Sequence, residues 1–475
     1  MSHDNFGRNV VLQPKVRYTP ENDAEVLEIL NRHQGEQIRS VGRLHSWSRV
    51  LESEGVLLDL RKMNHVRCLD ESADHRVEVG AGCQIKRLLS EMSSQKNWTL
   101  PSVGFITEQT IAGAIATGTH GSGRNTLSHY VLSVRIAHYD VETGRAVIRT
   151  ISAGEELLAV RCSLGCSGVI LQVTMLARPA YQVEECFREY EVLSSVLAAE
   201  KKYPLQQFYF LPWRWTFFAQ HRREVESTSS WTLMLYQLYR FLAFDISLHL
   251  LILFLVRLLR SPTAIRNVFR CVIPLTVIRG WGVTGPSNTQ LVMEHELFRC
   301  VETEIFVRRD QLPSALEYVR EVLQCLGSSH GGTSRFLSMV SQAGCDSLLQ
   351  QLRGQYCHHY PICVRRVLSD ETLISPACPD DSTALTSSDD WYAMTFTNYH
   401  RGKARQPFDA LAEFLTVSMG RLFRARPHWG KICPDNLSET RRLYPRMQQF
   451  VKICQRIDPD GAFRNRWMSS LFEEG

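Results

Sequence analysis

The stretch that most restricts this 475-residue chain runs from Thr110 to Gly123 and reads TIAGAIATGTHGSG. A short apolar run is followed by glycines, small hydroxyl residues and a single histidine. Such a loop presents backbone N–H groups with few side chains to block them, which suits an anion. It is not a P-loop, because no lysine followed by Ser or Thr closes the glycine run. Nor is it a Rossmann turn, which joins a first strand to its helix, whereas these glycines arrive after more than 100 residues. What remains is a backbone nest, with the hydroxyls of Thr117, Thr119 and Ser122 as additional donors.

A second stretch, IRSVGRLHSWS at residues 38–48, repeats the theme. A strand runs into Gly42, and a tight turn sets His45 and Ser46 just beyond it. Two strand-to-turn anion sites in one domain, each with a histidine, reinforce one another.

Around these sites short strands and helices alternate. EQIRSVG, GVLLDL and HRVEVGAG read as strands, and IKRLLSEM has helical spacing. LSVRIAHYDVETGRAVIRTIS reads as a hairpin turning at residues 142–144, and SLGCSGVILQVTMLARP as a glycine-rich turn before a strand. This is an α+β domain on small sheets, ending near Pro179. From Tyr181 the texture changes. VMEHELFRCVETEIFVRR reads as strands, DQLPSALEYVREVLQCL as an amphipathic helix, GSSHGGTSR (327–335) as a linker and residues 375–390 as a polar loop. YPRMQQFVKICQRIDPDGAFRN reads as a helix closed by a Pro-Asp-Gly turn. The length itself calls for two domains.

A formal net charge of +5 with no dense basic block argues against nucleic acid. Fourteen cysteines without a secretory signal read as reduced thiols of the cell interior. One segment departs from the soluble pattern: FLAFDISLHLLILFLVRLLR, residues 241–260. Its uncharged heart, residues 246–256, is shorter than the ~20 apolar residues of a spanning helix, with Asp245 and Arg257 at its edges. Two readings stand, a buried helix or a helix lying in a membrane interface. The second draws on Arg257, Arg260, Arg266 and Arg270.

Together, VGRLHSW, PSVGFITEQTIAGAIATGTHGSG and SLGCSGVILQVTM resemble the FAD domain of the vanillyl-alcohol-oxidase (PCMH-type) superfamily. Within it they are most similar to the aldonolactone oxidases, which include L-gulonolactone, D-arabinono-1,4-lactone and alditol oxidases. The likeness continues at YPICVRRVLSDETLISP, RPHWGKICPDNL and IDPDGAFRN, so it covers nearly the whole chain. It implies an α+β protein with a PCMH-type FAD-binding domain at 10–180 and an α+β cap or substrate domain at 181–425. A C-terminal segment, 426–475, would return to the flavin.

The resemblance further implies FAD, attached covalently to His45 through the flavin 8α-methyl group. Val41, Gly42, Arg43, Leu44 and Ser46, with Gly113, Thr117, Gly118, His120 and Gly121, would hold its pyrophosphate, and Ile170 its adenine or ribose side. The implied reaction oxidises a sugar-derived 1,4-lactone or a polyol by hydride transfer to flavin N5, with oxygen or another acceptor restoring the flavin. Lys431 and His428 of the HWGK stretch, Arg365, Thr110 and Thr397 would be the catalytic and substrate-contacting residues. The family's apolar insertion accompanies membrane association in the animal enzyme, which implies a cytoplasmic or peripherally membrane-associated protein touching membrane through 241–260.

No metal is implied. Cys357, His358, His359 and Cys363 compose a zinc-like set, yet adjacent histidines on a strand face opposite ways. One departure from the family matters. Its pattern is Pro-x-Glu-x-Arg, and here Pro361, Ile362, Cys363, Val364 and Arg365 stand instead. A thiol is a poor acceptor, so Arg365 is expected to lose its local anionic partner. Three outcomes stay open: an oxidase, an oxygen-avoiding dehydrogenase, or a turnover-deficient flavin-binding protein at a membrane.

Overall fold

Alternation in the sequence becomes two small sheets in the amino-terminal domain of the computed structural model, which describes residues 3–69, 74–293, 297–380 and 390–473. A parallel sheet orders Val16–Tyr18, Val56–Asp59 and Ile38–Val41, with the middle strand buried throughout. An antiparallel sheet orders Ala146–Ile151, Val131–Tyr139, Val169–Leu176, Arg76–Gly80 and Val66–Leu69. The hairpin expected at 142–144 is present, with Gly144 at a φ of 67°. Ile85–Lys96 forms the expected helix and buries Ile85, Leu88, Leu89 and Met92, an i, i+3, i+4, i+7 stripe.

The C-terminal segment packs into this same core. Trp429, Met447, Phe450, Cys454, Phe463 and Met468 cluster with Val26, Val79, Ile115 and Leu171. Helix Met447–Ile457 ends in the Pro-Asp-Gly turn, where Asp458 accepts from the N–H groups of Ala462 and Phe463. The fold is therefore an α+β architecture whose last segment closes back on the first domain.

The second domain is built on one eight-stranded antiparallel sheet. Its order is Val283–Pro286, Gln182–Tyr190, Thr216–Val225, Gln207–Leu211, Ile362–Val367, Trp391–Asn398, Val301–Arg308 and Arg426–Pro427. Strand residues alternate between two environments. Phe208, Phe210, Ile362, Val364, Met394, Phe396, Val301 and Ile305 pack under the helices Leu312–Gly327 and Gln406–Phe423. Their neighbours Tyr209, Leu211, Cys363, Arg365, Thr395, Thr397, Glu302 and Glu304 face a cavity toward the flavin domain.

Several expectations change. Of VMEHELFRCVETEIFVRR only Val301–Arg308 is strand, and residues 294–296 lie outside the described residues. GSSHGGTSR is no interdomain linker: it joins two helices of the cap domain, and Thr333 caps the second. The polar loop at 375–390 falls mostly outside the described residues.

The apolar segment is longer than its uncharged heart suggested. Leu233–Leu259 is one 27-residue helix, long and apolar enough to cross a membrane by length and composition. Length therefore does not exclude a span. What argues against one is packing: Tyr236, Leu248, Ile252, Leu255 and Val256 are buried against the protein. The helix widens into π-helical turns at Phe241–Leu248 and Phe254–Leu259, and a second helical run at residues 262–276 folds back beside it. This hairpin closes one end of the cavity with Leu211, Trp213 and Phe218 of the sheet.

Candidate active site

A single cavity of about 310 Å³ runs from the turn at residues 41–47 to the helical hairpin. The strand Ile38–Val41 delivers the chain into a turn where Leu44 takes a φ of 56°. That left-handed conformation costs a non-glycine residue about 1–2 kcal/mol, a strain that tends to sit at working sites. The His45 ring stacks on Phe6 with centroids 4.8 Å apart, and its Nδ1 lies 3.2 Å from the Arg43 carbonyl oxygen. Gly42 is required by contact: a Cβ there would lie 2.2 Å from Thr110 Oγ1. The two loops singled out in the sequence thus touch, and Thr110 stands at the start of the helix Ile111–Ala116 between them without a side-chain capping bond.

Val41, Gly42, Arg43, Leu44, His45, Ser46, Gly113, Thr117 and Ile170 all line the cavity. Gly118 and Gly121 do not. A Cβ at Gly118 would meet Pro376 at 2.8 Å, and one at Gly121 the Val103 carbonyl oxygen at 2.5 Å, so both glycines serve close packing. The expected hydroxyl donors are also spent within the protein. Thr117 donates to the Gly113 carbonyl, Thr119 to Gln109 and Ser122 to the Gln206 carbonyl. Any anion held here is held by main chain.

His120 is the larger correction. Its ring is not at the glycine-loop end but in a buried charge cluster on the sheet wall. Nδ1–H donates to the Gly121 carbonyl at 2.9 Å, and Nε2 lies 2.9 Å from Glu304 Oε1. Both ring nitrogens are thus taken up by the protein, one by main chain and one by a carboxylate. Burial alone would raise the Glu304 carboxyl, but the neighbouring His120 and Lys431 hold it well below the usual carboxylate range. Lys431 pairs with Glu302, lies 4.0 Å from Glu304 and sits 4.3 Å over the Trp47 ring. Burial opposes its charge, yet the two glutamates raise its pKa, so it is a fixed cation. His428 is different: burial drives it down to about 3, and its Nδ1 accepts from the Gly430 N–H at 2.9 Å. It is therefore neutral, with its proton on Nε2.

Register explains how these groups meet. Cys363 lies opposite Thr395 and Thr395 opposite Glu304, while Thr397 lies opposite Glu302. Tyr209 precedes Cys363 in the same row. Arg365, expected to lack a local anionic partner, makes no ion pair with a carboxylate among the described residues; burial opposes its charge, and Glu304 and Glu302 support it only at longer range. Its Nε donates to Gln207 at 3.1 Å, and it lies 5.5 Å over Phe105. Burial pushes the Cys363 thiol up, so it is neutral. Thr397 donates to Glu302 at 3.2 Å. Thr395 Oγ1 is buried without a hydrogen-bond partner among the described residues, aimed at the cavity as though awaiting one.

Glu302, Glu304, Thr395 and Trp47 were not singled out from sequence. The signal was present for the glutamates: two carboxylates at i and i+2 put charge on one face of an otherwise apolar strand. His120, Glu304 and His428 also bring ligand atoms within 4.8 Å of one another, a metal-like grouping. Glu304 and His120 already bond each other there, at 2.9 Å. The Cys357–His359 run precedes the strand and does not lie on it. His358 pairs with Tyr356, and His359 accepts from the Tyr399 N–H.

An FAD binding domain model matches residues 14–145, and a D-arabinono-1,4-lactone oxidase model matches residues 252–471. A long-chain alcohol oxidase from an uncultured marine euryarchaeote is 50% identical over 99% of this chain and 96% of its own. The chain belongs to the aldonolactone oxidase family of FAD-dependent oxidoreductases. An L-gulono-1,4-lactone dehydrogenase of Mycobacterium tuberculosis is 25% identical over 97% of this chain and 96% of its own length. Cholesterol oxidase from Brevibacterium sterolicum shares the fold, with a TM-score of 0.70 at 14% identity over 99% of this chain and 96% of that one. The glycine-lined turns and the orphaned Thr395 hydroxyl of this family member fit a large cofactor with polar edges.

Proposed function

We propose that the protein oxidises the hydroxyl of an alcohol with a long apolar chain, using FAD. The observation that carries this is the shape of the cavity. From the charged wall it continues into an arm lined by Tyr209, Leu211, Phe218, Phe244, Leu248 and Ile273, closed by the helical hairpin. A sugar has no use for such an arm, whereas an alkyl chain gains about 0.8 kcal/mol per buried methylene. The name of the 50% identical relative, long-chain alcohol oxidase, supports the same reading.

Bound FAD supplies the hydride acceptor. Residues 41–46, Gly113 and Ile170 would hold it, with His45 positioned in the wall as its covalent attachment point. Lys431 and Arg365 present fixed cations that favour the developing alkoxide, and Glu302 offers an acceptor oxygen for its proton. Neutral His428 acts as a donor through Nε2. Thr110 and Thr397 complete the polar end.

A sugar-derived 1,4-lactone or polyol is the second reading. The hydroxyl-rich row of Thr395 and Thr397 beside two carboxylates favours it. Oxygen is the proposed acceptor for either substrate. The deciding experiment is anaerobic bleaching of the yellow protein by primary alcohols of rising chain length, beside a panel of aldonolactones and alditols. Bleaching by long alcohols is expected; bleaching by lactones alone would overturn the proposal. Admitting oxygen then separates oxidase from dehydrogenase by the speed at which colour returns. Acid precipitation should leave flavin on the polypeptide, and on a His45→Ala variant it should release it.

A further inference from the structure

Among the described residues nothing covers the outward face of the helical hairpin. Among the described residues seventeen large apolar side chains are exposed, and twelve of them lie between Trp231 and Ile278. They are ordered. Met234, Leu238, Leu242, Leu250, Phe254 and Leu258 recur at steps of four or eight along one helix. On an α-helix each step of four drifts by about 40°, and the wider π-helical turns take that drift back, so the stripe runs nearly straight. A matching stripe faces inward: Tyr236, Arg240, Phe244, Leu248, Ile252 and Val256. A helix apolar on both faces is normally buried on both. Here the inner side packs on the protein and, through Arg240, Phe244 and Leu248, lines the cavity, while among the described residues the outer side is open, with Met234 83% exposed and Leu275 of the returning run 79%.

Charge selects the occupant. Residues 231–280 hold six arginines, no lysine and one acid, Asp245, which faces the cavity. That net +5 equals the formal net charge of the whole chain. Arg257, Arg260 and Arg270 are exposed and form no ion pair among the described residues. A second copy docking by the same face would bring like charge against like charge. An anionic lipid surface offers both an apolar interior and compensating headgroups.

We propose that the hairpin docks on an anionic bilayer, with its outer stripe among the acyl chains and its arginines at the headgroups. Because its inner stripe is the wall of the apolar arm, the substrate passes from lipid to active site along this element. The second statement rests on the proposed alcohol substrate, whereas the docking does not.

Flotation of the holoenzyme with vesicles tests both. Phosphatidylcholine vesicles containing 30% phosphatidylglycerol should carry the protein at low salt, and pure phosphatidylcholine vesicles should carry at least tenfold less. Arg257→Gln/Arg260→Gln/Arg270→Gln should lower binding to the anionic vesicles by about fivefold per arginine. Met234→Ser/Leu238→Ser/Leu275→Ser should abolish binding while leaving turnover of a short water-soluble alcohol unchanged. Wild-type turnover of a long alcohol held in the anionic vesicles should fall at least tenfold in that variant. Failure of the wild type to float with either vesicle overturns the docking, as does a stable dimer that the serine variant dissolves in place of vesicle binding. Flotation without turnover of any alcohol would leave docking standing and remove the proposed substrate. Equal turnover of vesicle-held alcohol by wild type and the serine variant would overturn delivery through the hairpin.

Discussion

The two ends of the cavity are built on opposite principles. At one end strand register sets Glu302, Glu304 and Arg365 on one wall, and loops bring His120 to Glu304 and Lys431 to Glu302. At the other, Phe244, Leu248 and Ile273 present apolar surface from a helix whose far side is open. A buried charge tolerates no loss of its partner, while an apolar wall tolerates exchange of shape at modest cost. Chemistry is therefore placed on the sheet, where geometry is rigid, and substrate choice on the hairpin, where it can vary.

The severest test of this contrast is Glu304→Gln. It takes the carboxylate from the His120 ring and from beside the Lys431 cation, so stability should fall by ~3–5 kcal/mol in denaturant unfolding. Turnover should fall with it. A fully stable and active variant would break the distinction between the two ends. Lys431→Met removes the fixed cation and should lower kcat by roughly 10²–10³-fold in steady-state assays. Because Glu302 then loses its partner, a Lys431→Arg variant should recover part of that loss.

At the apolar end the expected effects are smaller and depend on the substrate. kcat/KM should rise about fourfold per methylene while the chain still fits the arm. Leu248→Trp should flatten that rise for longer alcohols and leave short ones unaffected. An equal effect on all chain lengths would show that Leu248 shapes the fold and not the arm.

A slow pH dependence should follow from the buried neutral histidines. Burial holds His428 and His358 down to about 3 and His221 to about 4, against an ordinary value of 6.5. In that interval the unfolded chain binds protons that the folded one refuses. Stability should therefore fall as pH drops from about 6.5 toward 3, by roughly 1.4 kcal/mol per pH unit for each histidine. His428→Asn should reduce the slope by one share in pH-dependent denaturation. The smallest effect is expected for Cys363→Ser, because the thiol is neutral and Arg365 bonds Gln207. A change of more than about fivefold in kcat/KM would return a chemical role to Cys363.

Much of the flavin half was legible because its signals are local. Gly42 before a turn, the hairpin at 142–144 and the Pro-Asp-Gly stop each depend on a few adjacent residues. The charge cluster was not legible in the same way. His120 belonged to a glycine loop by sequence and to Glu304 by contact, 184 positions away. The absence of a glutamate at 363 read as the loss of a local partner for Arg365, and Gln207, not a carboxylate, is what it bonds; that Glu304 lies two strands away on the same wall was not legible. The apolar helix was undercounted because Asp245 and Arg257 looked like ends, whereas the helix runs through both.

By itself the amino-acid sequence determined the elements, the glycine turns, the family and hence the flavin chemistry. All of these rest on short-range conformational preference or on motifs read in order. Tertiary structure alone decided which carboxylates share a wall with Arg365, which histidine joins them and which side of the hairpin is covered. Those are matters of strand register and packing between distant segments, and a one-residue slip in register would reverse every side chain involved.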